Sequence, residues 1–537
     1  QYDMFSGGRD GVVNLPKFDM LGIRNLQFIS GAIERIEKIR GITIDIDTIP
    51  LDDPKVFEML SRGETVGVFQ MAGDGMTAYL RELKPTKVED LMAMVALYRP
   101  GPMDVIPEYI KRKNNPSLVS YLDPRMESYL QASYGLIVYQ DDLLFSSIEL
   151  AGYDWLEADK FRKAVGKKIP AEMAAQKEKL QKGIIENGQT KEFAEMLWKL
   201  FEPFQAYGFN KAHAASYGMV AYKTAYLKAN YPAEYMSACM TAESGDIESC
   251  SEYINEAIRI GFTILPPDVN ESFSDFTVVV ENGEVTKKIR FGLNNIKNFG
   301  IEIGKAIIAE RKAHGPYTSI ESFLERVTHK NLNKKSLEAL IMCGAMDSFG
   351  DRGVLSSNIE TLLAFHKNIT AHSNSQSSSL FDTLDSKPQS VLMLKEATPA
   401  TLTQKLAWEK ELLGFYISGH PLDMFDAQLQ KSGTTVKKLL SQAATTSPQK
   451  KFGRDQAKKE VLVVHIDSVK IIMTKSSNKK MAFLTVQDKT GAIEAVVFPE
   501  TFTKIGSLLK DGIVVALECS ASNRDGKNSL LIDNIKV

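Results

Sequence analysis

Apolar residues recur with a helical period over much of the first half of the chain. Residues 23–33 carry apolar positions on roughly one face, which predicts an amphipathic helix. Another helix is predicted over 193–201, where Thr190 is suited to cap the N-terminus and Pro203 limits the far end. From about 50 to 260 the same pattern prevails and strand signals are few. We therefore expect a large, mostly helical domain.

The pattern changes near residue 289. A strand-like run at 289–293 is followed by a predicted helix, a tight turn at Asn298–Ile301 and a second helix through Arg311. Five of the seven residues from Ser373 to Ser379 are serine. Such a stretch cannot bury enough apolar surface to order itself, so we predict a flexible linker. A further helical segment is predicted at roughly 401–430.

The last part of the chain, after a Ser/Thr/Lys-rich break at 443–459, is a series of short predicted strands. Turn signals such as Thr490-Gly491 and Asp525-Gly526 separate several of them. A helix-like segment at 502–509 precedes the fourth strand. This order fits a small OB-type barrel, with some other small β-barrel as the alternative. The predicted strands cover 461–464, 482–486, 492–498, 512–517 and 530–532.

Composition narrows the class of protein. A length of 537 residues predicts about three to five domains. The formal net charge of −2 excludes both a uniformly basic surface that would coat nucleic acid and an acidic tail. There is no run of 18 apolar residues, so we expect no membrane partner. The 4 cysteines are too few and too scattered for a disulfide framework or a zinc site. We expect a soluble, cytoplasmic protein.

The small net charge conceals large local charges. Residues 158–182 have a net charge of +5 and residues 450–480 of +6, whereas residues 241–286 have −9. A focused basic patch attracts a polyanion locally, whatever the total charge of the chain. Solvated helix or loop faces are the alternative for either basic segment.

Two pairs of residues near the start are candidates for metal or phosphate chemistry. Lys17 and Asp19 lie at a predicted strand-to-helix junction, where a carboxylate can bind a divalent cation and an ammonium can meet a phosphate. A solvated aspartate near a helix start is the alternative. Asp45 and Asp47 would share one face of a strand, but they run into residues 48–53, which are typical of a connecting loop. A metal site at that second pair is disfavoured.

Several segments combine cations with residues that allow close approach to a ligand. Residues 161–168 cluster four cations around Gly166, and residues 206–213 open a helix that carries three tyrosines. Cations and aromatic rings in alternation can contact phosphates and stack on bases, although a core aromatic stripe explains at least one tyrosine equally well. Arg99, which is held between Tyr98 and two prolines, suits a fixed phosphate contact or a structural turn.

The turn at Asn298–Ile301 resembles a helix-hairpin-helix unit, in which backbone N–H groups at a helix N-terminus bind a DNA phosphate without reading sequence. Asn298 stands where that unit usually has its first glycine. Asparagine tolerates the left-handed conformation, so the hairpin is expected to form with less room for close approach.

Taken together, these motifs resemble those of the C-family of bacterial replicative DNA polymerases, of the DNA polymerase III alpha type. They occur in the family's order and cover nearly the whole chain. The matching segments are Lys17–Gly22, Gly67–Met71, Tyr98–Pro102, Tyr134–Gln140, Ala164–Lys168, Tyr207–His213 and Gly419–Pro421.

The resemblance implies template-directed nucleotidyl transfer from dNTPs to a primer 3′-hydroxyl. It implies that Asp19 is one of three aspartates that hold two Mg²⁺ ions. The other two belong to an Asp-x-Asp motif upstream of Gln1 in this family, which Asp45 and Asp47 do not match. We therefore interpret the sequence as part of a longer chain and expect it to be inactive by itself. The alternative function is a non-catalytic module that binds DNA and the sliding clamp.

The resemblance also implies the partners, which are primer–template DNA, dNTPs, the sliding clamp and other replicase subunits. The implied nucleotide- and DNA-binding residues are Lys17, Arg99, Arg162, Lys163, Lys167, Lys168, Tyr207, Asn210, Lys211 and His213. The hairpin contacts are Asn298, Phe299 and Gly300, and the clamp contacts are Gln376, Leu380 and Phe381.

The chain departs from the family pattern at two places. Ala72 stands where a glutamate is expected after Gly67–Met71. In the clamp-binding segment Gln376 lies one residue too far from Leu380 and Phe381, so the glutamine anchor is displaced. A short extended peptide can still bury the Leu-Phe pair in a partner's pocket.

The expected fold class is multidomain α+β, mostly helical fingers with a helix-hairpin-helix unit and then a C-terminal OB-type barrel. The predicted domains are a palm remnant at 1–25, fingers at 26–288, the hairpin unit at 289–350, a flexible linker with the clamp motif at 351–400, a helical connector at 401–442, a linker at 443–459 and the OB domain at 460–537.

Overall fold

The fold comes from a computed structural model. The residues that it describes are 22–167, 170–201, 209–374, 392–426, 429, 433–439, 459–474, 478–524 and 527–536. They form a largely helical body that contains a three-stranded sheet, followed by a closed five-stranded barrel. The predicted fold class, multidomain α+β, is confirmed. Among these residues no helix has the length and apolar character needed to cross a membrane.

Helices account for the regular structure from residue 24 to residue 259. They are α1 (Arg24–Arg40), α2 (Pro54–Ser61), α3 (Asp74–Leu83), α4 (Val88–Leu97), α5 (Ile106–Asn114), α6 (Glu127–Leu130), α7 (Gln140–Ala151), α8 (Trp155–Lys167), α9 (Pro170–Glu186), α10 (Lys191–Phe201), α11 (Lys211–Asn230), α12 (Pro232–Ala242) and α13 (Ile247–Arg259). Short 3-10 helices lie at Pro102–Val105, Pro116–Leu118, Pro124–Met126 and Gln131–Ser133.

Both helices singled out by their apolar period are confirmed. α1 ends where Gly41 adopts a left-handed φ of 65° and its N–H donates to the Glu37 carbonyl at 2.9 Å. α10 begins after Thr190, whose hydroxyl accepts the Phe193 N–H at 3.2 Å, as a helix N-cap does.

The helical body packs around separate apolar cores. One core joins α2 to α5 with α11 and contains the buried Tyr109 and Tyr222, and another joins α7 to α10 around Phe161. α11 approaches α4 closely because residue 218 is glycine. A Cβ at Gly218 would lie 2.6 Å from Met92 Cγ, too near for any other residue without a shift of one helix.

A small sheet joins these helices to the second half of the body. Its strands are β1 (Thr263–Leu265), β2 (Thr277–Glu281) and β3 (Glu284–Arg290), in the order β1-β3-β2. β1 runs parallel to β3 and β2 runs antiparallel to it. Helices α14 (Ile301–His314), α15 (Ile320–Arg326), α16 (Lys334–Met342), α17 (Arg352–Ser357) and α18 (Ile359–Asn374) follow.

The helix predicted immediately before the turn at Asn298 is wrong. Only a 3-10 helix, Leu293–Asn295, precedes the turn. The backbone N–H of Leu293 donates to the Phe273 carbonyl at 2.9 Å, and that of Asn294 donates to Ser274 at 3.0 Å. These tertiary hydrogen bonds fix the start of the segment, and the left-handed Asn298, with φ 67°, ends it after a few residues, so only a short 3-10 helix forms.

The prediction of a flexible linker at 351–400 is wrong for its first part, where α17 and α18 form. Leu355, Ile359 and Leu362 recur at helical spacing and lie in the same core as the sheet. The segment after α18 is also anchored, since the Ala400 N–H donates to Asp351 Oδ1 at 2.8 Å. The serine-rich residues that prompted the prediction, 375–379, lie outside the described residues.

α19 (Leu402–Leu413) follows and is shorter than the predicted helical segment at 401–430. It ends at Gly414, where φ is 86°. A 3-10 helix, Pro421–Phe425, comes next.

The C-terminal strands close into a barrel, as predicted. They are β4 (Glu460–Met473), β5 (Lys480–Asp488), β6 (Gly491–Val497), β7 (Val514–Arg524) and β8 (Lys527–Lys536). α20 (Pro499–Ile505) and a 3-10 helix, Gly506–Leu508, stand before β7. The strand order is β4-β5-β6-β8-β7, and β6 pairs parallel with β8. This topology, with its helix before the fourth strand, confirms the OB-type prediction.

Candidate nucleic-acid interface

Some predicted site residues lie outside the described residues. They are Lys17, Asp19, Lys168, Tyr207, Gln376, Leu380 and Phe381, together with the side chain of Lys167. The others lie in two regions of the helical body.

Arg99 directly follows α4, where the chain turns at Gly101 with φ 109°. The guanidinium carbon of Arg99 lies 3.8 Å from the centre of the Phe209 ring. An arginine over an aromatic face is attracted by the ring quadrupole, which holds its long side chain in one place. Arg99 is therefore joined to the segment that opens α11, far along the chain.

The residues at the start of α7 hold Phe209 and the beginning of α11 in place. Tyr139 forms a parallel β-bridge with Phe209, and the Gln140 N–H donates to the Phe209 carbonyl at 2.8 Å. Asp141 accepts the backbone N–H of Lys211 at 3.0 Å. Three successive residues, 139–141, therefore hold the backbone at the start of α11.

α11 presents polar groups at its N-terminus. Asn210 caps the helix by accepting the His213 N–H at 2.9 Å, and both side chains are exposed. Lys211 Nζ lies 5.6 Å from the centre of the Tyr139 ring. The His213 ring lies tilted against the Tyr217 ring, with 4.1 Å between centroids. A helix N-terminus favours a negatively charged ligand.

Arg162, on α8, is linked to the start of α11 through Gln140. Its Nη1 donates to Gln140 Oε1 at 3.1 Å, while its Nη2 donates to Asp159 Oδ1 at 2.8 Å. Lys163 is exposed and pairs with Asp159 at 2.6 Å. The structure thus brings together predicted residues from three parts of the chain, with Gln140 between them. We call the three cations Arg99, Arg162 and Lys211, together with Asn210 and His213 beside them, the cation cluster.

A buried carboxylate supports this arrangement. Asp142 is 1% exposed and its Oδ2 accepts the backbone N–H groups of Val138 and Tyr139, each at 2.8 Å. Burial raises the pKa of the Asp142 carboxyl to about 6, and the two N–H donors oppose that rise. The sequence did not distinguish Asp142, because Asp141 beside it is equally acidic.

The tyrosines of α11 have different roles. Tyr222 is buried, and its hydroxyl donates to the Pro50 carbonyl at 2.6 Å. Tyr217 is half-buried and contacts His213 and Phe69. Tyr222 is therefore a core residue, as the alternative interpretation of the tyrosines expected, while Tyr217 lies near the cation cluster.

Asp45 and Asp47 lie in a turn, where Asp45 accepts the Asp47 N–H at 3.0 Å and Asp47 pairs with Lys223. Among the described residues no group of three or more His, Cys, Asp or Glu side chains could hold a metal ion. Asp19, the one magnesium ligand that the resemblance implied in this chain, lies outside the described residues, so the Mg²⁺ site stays a prediction.

The turn before α14 has the conformation that the sequence predicted. Asn298 is exposed and left-handed, with φ 67°, and Gly300 is the exposed N-cap of α14. Phe299, however, is only 7% exposed and packs in the core, so its side chain holds the turn in place and cannot reach a ligand. The Phe299 side chain is therefore part of the core, and the predicted DNA contact of this turn rests on the exposed Asn298 and Gly300.

A second turn, which the sequence analysis missed, lies between α15 and α16. Asn333 caps α16 by accepting the Ser336 N–H at 3.1 Å, and its own N–H donates to Ser336 Oγ at 2.9 Å. The exposed lysines around it are Lys330, Lys334 and Lys335. The signal was available as an Asn-x-x-Ser cap before apolar residues at helical spacing.

Both turns pack on the same apolar core, which contains Phe299 before α14 and Leu332 before α16. The pKa of Glu302, in the first turn of α14, is lowered mainly by its hydrogen bond and charge pairing with Lys305.

Comparisons with known proteins agree with this organisation. Residues 25–188 match the finger domain of the bacterial DNA polymerase III alpha subunit, residues 261–355 a helix-hairpin-helix motif and residues 465–537 an OB-fold nucleic acid binding domain.

Three relatives illustrate the similarity, and each is a DNA polymerase III subunit alpha. The protein from Thermus aquaticus is 40% identical over 96% of this chain and 41% of its own length. The protein from Borreliella burgdorferi is 37% identical over 97% of this chain and 44% of its own length. The protein from Bacillus subtilis is 38% identical over 94% of this chain and 43% of its own length. The chain therefore spans less than half the length of these relatives.

Proposed function

The chain belongs to the family of the alpha subunit of bacterial DNA polymerase III, and from this premise we propose that it serves template-directed DNA synthesis. In this proposal the described residues bind the incoming nucleotide and the primer–template. The observation that carries it is the convergence of Arg99, Arg162 and Lys211 on one site through contacts made by Tyr139, Gln140 and Phe209.

The cation cluster is suited to the triphosphate of a dNTP. Arg99 supplies a planar guanidinium, which matches phosphate oxygens, and Lys211 adds a point charge at a helix N-terminus. Arg162 adds positive charge beside them, with its own donors on Gln140 and Asp159. Each side chain is held by a second contact, so less freedom is lost on binding than for a solvated arginine or lysine. His213 and Tyr217 offer aromatic faces beside these charges for a base.

The two turns and the barrel are assigned to DNA. Backbone N–H groups at Gly300 and at the start of α16, with Lys330 and Lys335 beside them, fit phosphates of a duplex. The OB-type barrel is assigned to single-stranded template. All of these contacts are independent of sequence, as a replicative polymerase requires.

Several parts of the proposal concern residues outside the described part of the chain. Asp19 as a magnesium ligand stays a prediction. So does the contact of Leu380 and Phe381 with a sliding clamp, with Gln376 as its displaced anchor. Other replicase subunits stay predicted partners. Asp19→Asn in a full-length protein should abolish primer extension and leave DNA binding nearly intact, and normal extension by that variant would refute the assignment.

Nucleotide binding tests the proposal directly. The fluorescent analogue mant-dATP should bind this chain, and Arg99→Ala or Lys211→Ala should weaken binding by about 10-fold or more, the cost of one charge-assisted hydrogen bond. Lys38→Ala is the matched control, because Lys38 is an exposed cation on α1 paired with Glu34. Equal loss in all three variants would attribute the effect to net charge and contradict the site.

Nucleotide binding, measured beside DNA binding and primer extension, separates the proposal from its alternative. Incubated with primed template, Mg²⁺ and dNTPs, this chain is expected to bind DNA without extending the primer. DNA binding together with failure to bind mant-dATP would favour the second candidate, a DNA- and clamp-binding module without a nucleotide site. That candidate is favoured by the matches to a helix-hairpin-helix motif and to an OB-fold nucleic acid binding domain.

A further inference from the structure

The segment Gly419–Pro421 matches the family but has no role in the function proposed above. It lies between the helical body and the barrel, in a stretch organised by Glu409 of α19. The Glu409 carboxylate is fully buried, accepts the backbone N–H groups of Ile417 and Ser418 at 2.7 and 2.9 Å, and receives Arg352 Nη1 at 2.7 Å. A buried carboxylate that accepts this many hydrogen bonds holds the segment after α19 in one conformation.

This segment is also joined to the first turn of the hairpin unit. The backbone N–H of Lys297, next to Asn298, donates to the Leu412 carbonyl at 2.9 Å. Phe415 stacks on Phe291 with 5.7 Å between ring centroids. The turn and the end of α19 are therefore parts of one packed unit.

Tyr416, the next residue, contacts the barrel. Its ring stands perpendicular to that of His465 on β4 with 5.8 Å between centroids, and its hydroxyl lies 3.4 Å from His465 Nε2. His465 Nδ1 lies 3.1 Å from Asp467 Oδ1. Lys410 of α19 extends across this contact, with Nζ 5.3 Å from the Tyr416 ring centre and 3.4 Å from Asp467 Oδ1.

His420 and the short helix after it form a second contact. The His420 ring accepts the Leu422 N–H on Nδ1 at 3.1 Å, and the His420 N–H donates to Asp423 Oδ2 at 2.6 Å. Asp423 and Asp426 both pair with Lys489 of the barrel, at 2.6 and 2.7 Å. Two separate contacts resist both translation and rotation of the barrel.

We propose that these two contacts, which we call the joint, hold the barrel at a fixed position relative to the two turns so that both bind one DNA molecule together. The inference rests on the proposed function, because it takes the turns and the barrel as DNA-binding parts. Tyr416, His420, Asp423 and Asp467 are positioning residues in this scheme. When two binding sites are held at a matching distance, the second binds at a high effective concentration.

Substitution of two aspartates of the joint tests the proposal through the direction in which the DNA affinity changes. Asp423→Asn and Asp467→Asn each remove a negative charge, so electrostatics alone would tighten DNA binding slightly. Loss of the joint would weaken DNA binding, but only for DNA long enough to reach both the turns and the barrel. Asp533→Asn is the matched control, since Asp533 makes an exposed ion pair with Lys459 within the barrel.

Fluorescence anisotropy of this chain would compare a duplex, a single strand and a duplex with a single-stranded template overhang. The unsubstituted chain should bind the overhang DNA about tenfold or more tightly than either simple probe. Asp423→Asn and Asp467→Asn should lose most of that advantage while their affinities for the simple probes stay level or rise. Thermal unfolding checks each variant, and Asp423→Asn, being on an exposed short helix, suffices if Asp467→Asn does not fold.

The outcomes separate the two proposals. An unsubstituted chain that binds neither simple probe contradicts the proposed function, and the joint with it. An unsubstituted chain that prefers the overhang DNA, together with variants that keep the preference as Asp533→Asn does, overturns the joint alone.

Discussion

The guanidinium of Arg99 lies 3.8 Å above the ring of Phe209, although α5 to α10 separate the two residues along the chain. The stack depends on the bridge between Tyr139 and Phe209, which places the ring, and on the turn at Gly101, which places the arginine. An arginine held over an aromatic face keeps its planar guanidinium in one place, as a fixed phosphate contact requires.

Phe209→Leu should therefore weaken nucleotide binding without unfolding the protein. The stack is worth about 0.5 to 2 kcal/mol, so the affinity for mant-dATP should fall by about 2- to 30-fold. Phe209→Tyr keeps the aromatic face and is expected to bind like the unsubstituted chain. Equal affinities for the leucine and tyrosine variants would show that the ring does not position Arg99.

The pKa of Asp142 predicts a pH dependence of stability. Burial raises this pKa from 3.8 to about 6, so the folded protein favours the protonated carboxyl. The contribution of Asp142 to the unfolding free energy is then fully present below about pH 4 and is lost as pH rises through about 6. Asp142→Asn can still accept the two N–H groups and should flatten the urea-unfolding free energy between these pH values.

Asp142→Ala provides the contrast to that variant. It leaves the buried N–H groups of Val138 and Tyr139 without their acceptor and should cost about 1 to 3 kcal/mol for each. If the asparagine variant kept the pH profile of the unsubstituted chain, the titrating group would have to be another residue.

Local signals predicted local structure well. The cap at Thr190 and the left-handed Asn298 each depend on neighbouring residues, and both are present. The barrel strands were placed correctly because alternation of apolar residues and turn signals are also local.

Contacts between distant parts of the chain were beyond sequence patterns. Nothing near Gln140 indicates that it receives Arg162, and nothing near Arg99 indicates Phe209. Phe299 was assigned to DNA because it lies in the hairpin, but an aromatic residue in a tight turn also has a core to fill. A serine-rich run was extended backward into a linker, although Leu355 and Ile359 before it carried a helical period.

The buried pair of Lys228 and Glu256 should be costly to break. Lys228 Nζ donates to the Glu64 and Val66 carbonyls at 2.9 and 2.7 Å as well as to the Glu256 carboxylate. Lys228→Met leaves the two buried carbonyls without this donor, while Arg259 still pairs with Glu256, and should lower the unfolding free energy by about 1 to 3 kcal/mol for each carbonyl in urea titrations. Lys305→Met, in the exposed pair with Glu302, should change it by less than about 0.5 kcal/mol. Similar losses in both variants would contradict this view of the buried pair.

The second turn should contribute to DNA binding through charge. Lys330→Ala and Lys335→Ala should each weaken binding of duplex DNA of any sequence and reduce the slope of log affinity against log salt by about 1. Anisotropy titrations at several salt concentrations measure both quantities. Lys38→Ala, on α1, should leave the slope unchanged. A slope that is the same in all variants would remove the second turn from the DNA surface.

His420 makes the joint sensitive to acid. Burial lowers the pKa of His420 below its ordinary value of 6.5, while the charge of Asp423 opposes the shift and those of His465 and Lys489 add to it. Asp467 also faces the ring and acts in the same sense as Asp423.

A lowered pKa means that the folded protein favours the neutral imidazole, whose Nδ1 accepts the Leu422 N–H. Protonation at Nδ1 removes that acceptor. The stabilising contribution of His420 is therefore present above pH 6.5, the ordinary pKa, and is lost as pH falls through the lowered value. The preference for overhang DNA should decline over the same range. His420→Asn, which can accept the same N–H without titrating there, should hold the preference steady, and an identical decline in that variant would assign the pH dependence to another group.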